Sequence, residues 1–239
     1  MRIRRYRSRA RYGISVVTCT NRADFLHNLI DNYKRQRFIR KELIIVVNSN
    51  DIPLEPYIRF ARGNRNVKVF RLPAHYTLGA CLNFAVRQSK YRFIAKFDDD
   101  DYYAPRYLRD SLRSLKRKHA DIVGKRAHYM FLSGSNTMLL RFAEDEHQYV
   151  TRLPGATLMF RKKVWRKVKF PNRSLGEDDS FCTRSKRRGY RVYSGGKYNF
   201  LAIRRADPTS HTWKMGDEEL IKHHRVVPDV QNIQEFVQR

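Results

Sequence analysis

Four consecutive aspartates, Asp98 to Asp101, close an apolar run from Tyr91 to Phe97. Adjacent carboxylates repel one another unless something positive neutralises them, and an all-oxygen cluster suits hard divalent cations such as Mg²⁺ or Mn²⁺. The apolar run predicts a buried strand, so the acids emerge at its carboxyl end, where open α/β sheets bind ligands. A solvated acidic turn, or a helix cap ahead of Pro105, is the competing reading, because aspartate favours both. A second cluster, Glu177-Asp178-Asp179, follows Leu175-Gly176 and opens a predicted helix. It either offsets the helix dipole or supplies a carboxylate base able to take a proton from a hydroxyl. Two further acidic runs, Glu144 to Glu146 and Asp217 to Glu219, read as solvated faces. His223 and His224 read as a surface pair, since adjacent rings on a helix point apart.

The elements that would position these residues alternate. Gly13 to Cys19, Leu43 to Val47, Val67 to Leu72 and Tyr91 to Phe97 read as strands. The second of these is continuously apolar, as strands covered on both faces are. Between them, apolar spacing near 3.6 predicts a helix opening at Asn21 and carrying Phe25, Leu29, Ile30 and Tyr33, and another over Leu78 to Gln88. A basic helix follows over Pro105 to His119, with proline in its first turn. In the second half, Met130 to Leu132 and Met138 to Leu140 flank Ser133-Gly-Ser-Asn136, a hairpin signal. Ala156 to Phe160 reads as a strand, followed by a basic helix around Val164. A helix over Asp178 to Arg188 is capped by Gly189, and strands follow over Tyr190 to Tyr193 and Tyr198 to Ile203. The pattern is that of an α/β doubly wound, mostly parallel sheet with a smaller antiparallel element in the C-terminal half. We expect a single domain over 1–239: a basic tail (1–12), a nucleotide-binding half (about 13–104), an acceptor half (about 105–204) and an extension (205–239).

A chain of 239 residues with 41% hydrophobic and 13% aromatic content can build a proper core, which excludes a disordered protein. The formal net charge of +27 predicts attraction to a polyanion: nucleic acid, anionic lipid or an acidic envelope polymer. Three cysteines without paired spacing suggest a reduced, cytoplasmic protein. No stretch approaches the length of a membrane span, and the basic start lacks a signal-peptide core. That polybasic arm reads as a solvated tail, with contact to an anionic acceptor or to the inner face of a membrane as the alternative. The absence of GxGxxG after the first strand and of a GxxxxGK[ST] loop disfavours dehydrogenases and P-loop enzymes.

Five segments occur in a telling order: Ile14-Ser-Val-Val-Thr-Cys-Thr-Asn-Arg22, Glu42-Leu-Ile-Ile-Val-Val47, Leu78-Gly-Ala-Cys-Leu-Asn83, Phe97-Asp-Asp-Asp-Asp101 with Pro105, and Gly176-Glu-Asp178. Together they resemble the successive motifs of the family-two inverting glycosyltransferases of GT-A fold, over roughly residues 13–204. Gly155-Ala-Thr-Leu-Met-Phe-Arg161 and His211-Thr-Trp213 resemble a bacterial branch that includes spore-maturation and cell-envelope enzymes. The resemblance implies that Thr18, Thr20 and Arg22 line a nucleotide pocket and that Asn48 stands where the family's base-contacting acid lies. It places the DxD pattern on Asp98-x-Asp100, with Asp100 on an Mn²⁺ or Mg²⁺ ion and Asp99 near the ribose. Asp178 falls on the general base. His211 is either an added metal or phosphate ligand or a packed side chain beside Trp213. The implied partners are a nucleotide-sugar donor, a UDP-sugar first, and a hydroxyl acceptor that is a glycan, anionic on the strength of the charge. Asn48 departs from the family's acid; an amide still hydrogen-bonds a pyrimidine, but it offers both donor and acceptor.

Three alternatives stay open. A nucleotidyltransferase would need a glycine-rich loop after the first strand, and Thr18-Cys-Thr-Asn-Arg22 has none. A nucleic-acid-binding protein fits the charge and the interleaved Arg and Tyr of the first twelve residues, but no binding motif. A glycosyltransferase-like scaffold without activity is the third.

Overall fold

The computed structural model describes residues 12–207 and 215–239. Its central sheet has seven strands: β1 (Ile14–Thr20), β2 (Lys41–Asn48), β3 (Val67–Leu72), β4 (Phe93–Lys96), β6 (Ile122–Gly124), β9 (Met159–Arg161) and β10 (Val192–Ser194). They lie in the order β10-β6-β9-β4-β1-β2-β3. All pairs are parallel except those of β9, which runs antiparallel to both β4 and β6. The order reverses direction at β1, flanked by β2 on one side and β4 on the other; this is the switch point where such sheets open a crevice.

Successive residues of a strand point to opposite faces, and both faces here are covered. Ile14 and Val16 of β1 with Leu43, Ile45 and Val47 of β2 pack against one set of helices. That set comprises α1 (Leu26–Lys34), α2 (Glu55–Arg62) and α4 (Tyr107–Arg117). Val17, Ile44 and Val46 pack on the opposite side, against Cys81, Leu82 and Ala85 of α3 (Leu78–Gln88) and Phe181 of α6 (Glu177–Arg187). The short α5 (Lys162–Lys167) adds Val164 and Trp165 to that layer. Among the described residues, no helix is long and apolar enough to cross a membrane.

A second, five-stranded sheet has the order β12-β8-β7-β11-β5. It is built from β5 (Tyr102–Tyr103), β7 (His128–Leu132), β8 (Thr137–Arg141), β11 (Phe200–Arg204) and β12 (Arg225–Val226). The expected hairpin is its β7–β8 pair, with Leu139 and Leu140 in the core under α7 (Asp217–His223) and α8 (Ile233–Phe236). Tyr103 and Phe200 of this sheet belong to the same apolar cluster as β1 and β2, so the two sheets share a core.

Some elements start later than their periodicity predicts. The helix expected from Asn21 begins at Leu26, because the Thr20 hydroxyl accepts the Arg22 N–H (3.2 Å) and holds a turn there. The strand expected over Ala156 to Phe160 is a 3₁₀ turn over Gly155–Thr157, and only then β9. Pro154 cannot donate to a ladder, and the Thr157 hydroxyl bonds back to its carbonyl (2.9 Å). Two acidic runs expected as solvated faces are ion-paired instead. Asp145 meets Arg126 (2.7 Å), Glu146 meets Lys197 (2.7 Å) and Asp217 meets Arg204 (3.4 Å). In a chain this basic, an acidic side chain finds a cation within reach.

Candidate functional site

The aspartate run leaves β4 at the β1/β4 switch point, and each carboxylate has its own counter-charge or donor. Lys96, two residues upstream on the same strand face, pairs with Asp98. Asp99 accepts from the Thr20 hydroxyl and pairs with Arg22 at the end of β1. Asp100 is shared by Arg22 (3.0 Å) and Arg205 (2.9 Å). Asp101 accepts the Ile203 N–H of β11 (3.0 Å). The neutralisation that composition demanded is therefore supplied largely by three basic side chains of the chain itself.

The backbone of the run is clamped as firmly. The Asn28 amide donates to the carbonyls of Asp99 (2.6 Å) and Asp101 (2.9 Å), and Asn32 donates to Asp101 (2.7 Å) while accepting from the Tyr103 N–H. The Tyr103 hydroxyl accepts the Asp98 N–H and donates to the Ala156 carbonyl (2.7 Å), with its ring stacked on Phe97. The loop is thus held by α1 on one side and the 3₁₀ turn on the other.

Electrostatics separate the four acids. Burial pushes Asp99 up against the pull of Arg22. Burial, with Asp100 and Asp98 alongside, holds Asp101 well above the carboxylate range. At Asp100 burial is outweighed by Arg22 and Arg205, which hold it below the ordinary value and hence ionised. Lys96 is raised despite full burial, because Asp98, Glu177 and Asp178 stabilise its charge.

Lys96 is the link to the second acidic cluster. Gly176, at φ +69°, turns the chain into α6, and Glu177, Asp178 and Asp179 occupy its first turn. That left-handed value suits glycine. Asp178 accepts the Asp179 N–H (2.8 Å) and packs over Gly155, where an added Cβ would lie 2.6 Å from Asp178 Oδ2. Glu177 is buried, with its carboxyl pushed up to about 7 by burial, opposed by Lys96 and reinforced by Asp178.

The other expected site residues fall in three places. Thr20 and Arg22 join the aspartates directly. Thr18 is buried in β1, its hydroxyl without a hydrogen-bond partner among the described residues, and the buried Tyr57 hydroxyl lies near Thr20 and Asp99. Asn48 ends β2 one residue past Val47, the sheet partner of Thr20, and donates to the Pro73 carbonyl (2.7 Å). His211 lies outside the described residues. Sequence reasoning missed Arg205 and the role of Lys96, and named Glu177 only as a member of its acidic cluster. Lys96 carried a signal, as a cation inside an apolar run two residues before Asp98; Arg205 carried none.

The donor set fits a hard divalent cation. The ion pairs of Asp98 fall on Oδ1 and those of Asp100 on Oδ2, which leaves a second oxygen on each. No three His, Cys, Asp or Glu side chains converge among the described residues, so two carboxylates would need phosphate or water oxygens to complete a shell, the habit of Mg²⁺.

The family model described as Glycosyl transferase family 2 matches residues 15–182. The chain belongs to that family. Over 164 residues it is 27% identical to the O-antigen biosynthesis glycosyltransferase WbnJ of Escherichia coli, covering 63% of this chain and 62% of that one. S. aureus TarS 1-349 has the same fold, with a TM-score of 0.62 at 20% identity over 80% of this chain and 60% of that one. So has the mannosyltransferase PcManGT of Pyrobaculum calidifontis, solved with GDP-Man and Mn²⁺, at TM-score 0.60 and 16% identity over 81% and 56%. The chain spans about three fifths of the length of these relatives. The expected α/β fold, a mostly parallel sheet with a smaller second element, is the one observed.

Proposed function

We propose that this chain transfers a sugar from a nucleotide-diphosphate sugar, a UDP-sugar first, to a hydroxyl of a glycan acceptor, with inversion at the anomeric carbon. The observation that carries the reading is the meeting of Thr20, Arg22 and Asp98 to Asp100 at the β1/β4 switch point, tied through buried Lys96 to the first turn of α6. Nucleotide-sugar complexes exist for two proteins of the same fold, TarS with UDP-GlcNAc and PcManGT with GDP-Man. The name of the WbnJ relative and the motif resemblance favour an envelope or spore-surface glycan as acceptor.

Each side chain then has a task. Arg22 and Arg205 keep Asp100 ionised, and Lys96 neutralises Asp98, so these two carboxylates are preset as cation ligands. A Mg²⁺ or Mn²⁺ ion held there would supply Lewis-acid charge against the departing diphosphate. The Thr18 hydroxyl, unpartnered among the described residues, is a buried polar group that a donor's ribose or base could satisfy. Asp178 takes the proton of the acceptor hydroxyl as its oxygen attacks the anomeric carbon. The bond to the diphosphate breaks on the opposite face, and its electrons leave with the diphosphate.

The test separates the two clusters. Thermal shift and titration with UDP-sugars in Mn²⁺ should show metal-dependent donor binding that Asp100→Ala abolishes. Asp178→Asn should keep that binding but lose about 10²–10⁴-fold in turnover, the usual worth of general-base catalysis. Wild-type turnover in Asp178→Asn would remove it from the base role. Failure of every nucleotide sugar to bind would sink the donor reading.

A further inference from the structure

Away from the aspartate cluster, a cavity of about 360 Å³ is lined by Arg106, Arg109, Asp110, Arg113, Asn199 and Arg239. That volume lies at the low end of ligand pockets, about 300–1,000 Å³. The first three arginines recur at three and four residues along α4 and its cap, which places them on one face. All four arginines are exposed, and none forms an ion pair among the described residues. The one acidic side chain of the lining is already committed: Asp110 pairs with buried Lys125 (2.9 Å), which also donates to the Gly196 carbonyl (2.6 Å). Arg239 is fixed over the Tyr198 ring, and its N–H bonds Asn199 Oδ1 (3.3 Å).

Four guanidinium groups around one concavity repel one another and gain only when an anion enters. Their planar forks match phosphate oxygens two at a time, which ammonium groups do not. Asn199 immediately precedes β11, and the other end of that strand leads to Arg205 on Asp100. Six residues of extended chain separate the two positions by about 20 Å, so the cavity is separate from the donor cluster.

We propose that this cavity is a binding site for a phosphate-class oxyanion, carried either on a soluble phosphodiester chain or on a phospholipid headgroup. The site does not depend on the transfer chemistry and can be tested without it.

The full chain is titrated with tripolyphosphate, and separately sedimented with phosphatidylglycerol/phosphatidylcholine vesicles. The variants are Arg109→Ala/Arg113→Ala, Arg109→Lys/Arg113→Lys and, as donor-site control, Asp100→Ala. The arginines are exposed, so unchanged melting temperatures certify folding of the first two. The alanine pair should lose about tenfold or more in tripolyphosphate affinity, as expected for lost charge-assisted bonds. The lysine pair should recover only part of the loss, and Asp100→Ala, which removes an acid from Arg22 and Arg205, should bind no more weakly than wild type. Vesicle binding that falls in step with the alanine pair names the lipid headgroup as the source; vesicle binding that is absent or indifferent to these arginines names the soluble chain. Tripolyphosphate binding that survives in the alanine pair, or is lost in Asp100→Ala instead, overturns the proposal.

Discussion

Replacing Glu177 by glutamine should change how stability depends on pH, by an amount that follows from its surroundings. Glu177 is 5% exposed, and its carboxyl is raised from an ordinary 4.5 to about 7, with burial the main cause. The groups facing it are Lys96 and Asp98 at the end of β4 and Asp178 beside it. An acid whose folded pKa is raised binds more protons in the native than in the unfolded chain between those two values. Stability from this group is therefore full below about pH 4.5, falls as pH rises through 7, and is level above. At about 1.4 kcal/mol per pH unit, the wild type should lose about 3 kcal/mol over that interval from Glu177 alone. Glutamine keeps the shape and carries no charge at any pH. Urea unfolding at pH 5, 6, 7 and 8 should show wild type falling relative to Glu177→Gln by about 2–3 kcal/mol across the series. Taking the difference cancels the other titrating groups. Parallel curves, or a wild type that gains on the variant as pH rises, would refute the burial argument.

Two other outcomes follow from the same geometry. Gly155→Ala drives a methyl into the Asp178 carboxyl; its flexible end can give way, so the melting temperature should move by less than about 4 °C while turnover falls about tenfold or more with donor binding intact. Unchanged turnover would mean that Asp178 is not held in place by this contact. His128, 2% exposed, is pushed down to about 3 by burial and by Arg141, so it stays neutral in the folded chain while the unfolded imidazole takes up a proton as pH falls below about 6.5, and stability is lost. Acidification from pH 7 to 4.5 should cost wild type about 2–3 kcal/mol more than His128→Asn, read by urea midpoints; equal losses would contradict it.

The first half of the chain was legible because its signals are local. β3 and α3 fall where their sequence places them, and the continuous apolar run of β2 declares a strand covered on both faces. Asp98 to Asp101 could be placed at a strand end for the same reason. What neutralises them was not legible: Arg22 and Arg205 lie 78 and 105 residues from Asp100, and no periodicity encodes a meeting across such a span. The pairing of β5 with β11 was equally hidden, since a two-residue strand has no pattern to read.

β11 gives the site a history as well as a shape. Its Ile203 amide and the adjacent Arg205 grasp Asp101 and Asp100 across 102 and 105 residues. Closing a loop that long costs about 4 kcal/mol in chain entropy before any contact repays it. The β1–β2–β3 core and the contacts of Thr20, Arg22, Asn28 and Asn32 with the aspartate run close shorter loops, so the clasps of Ile203 and Arg205 should be the last of the cluster to form.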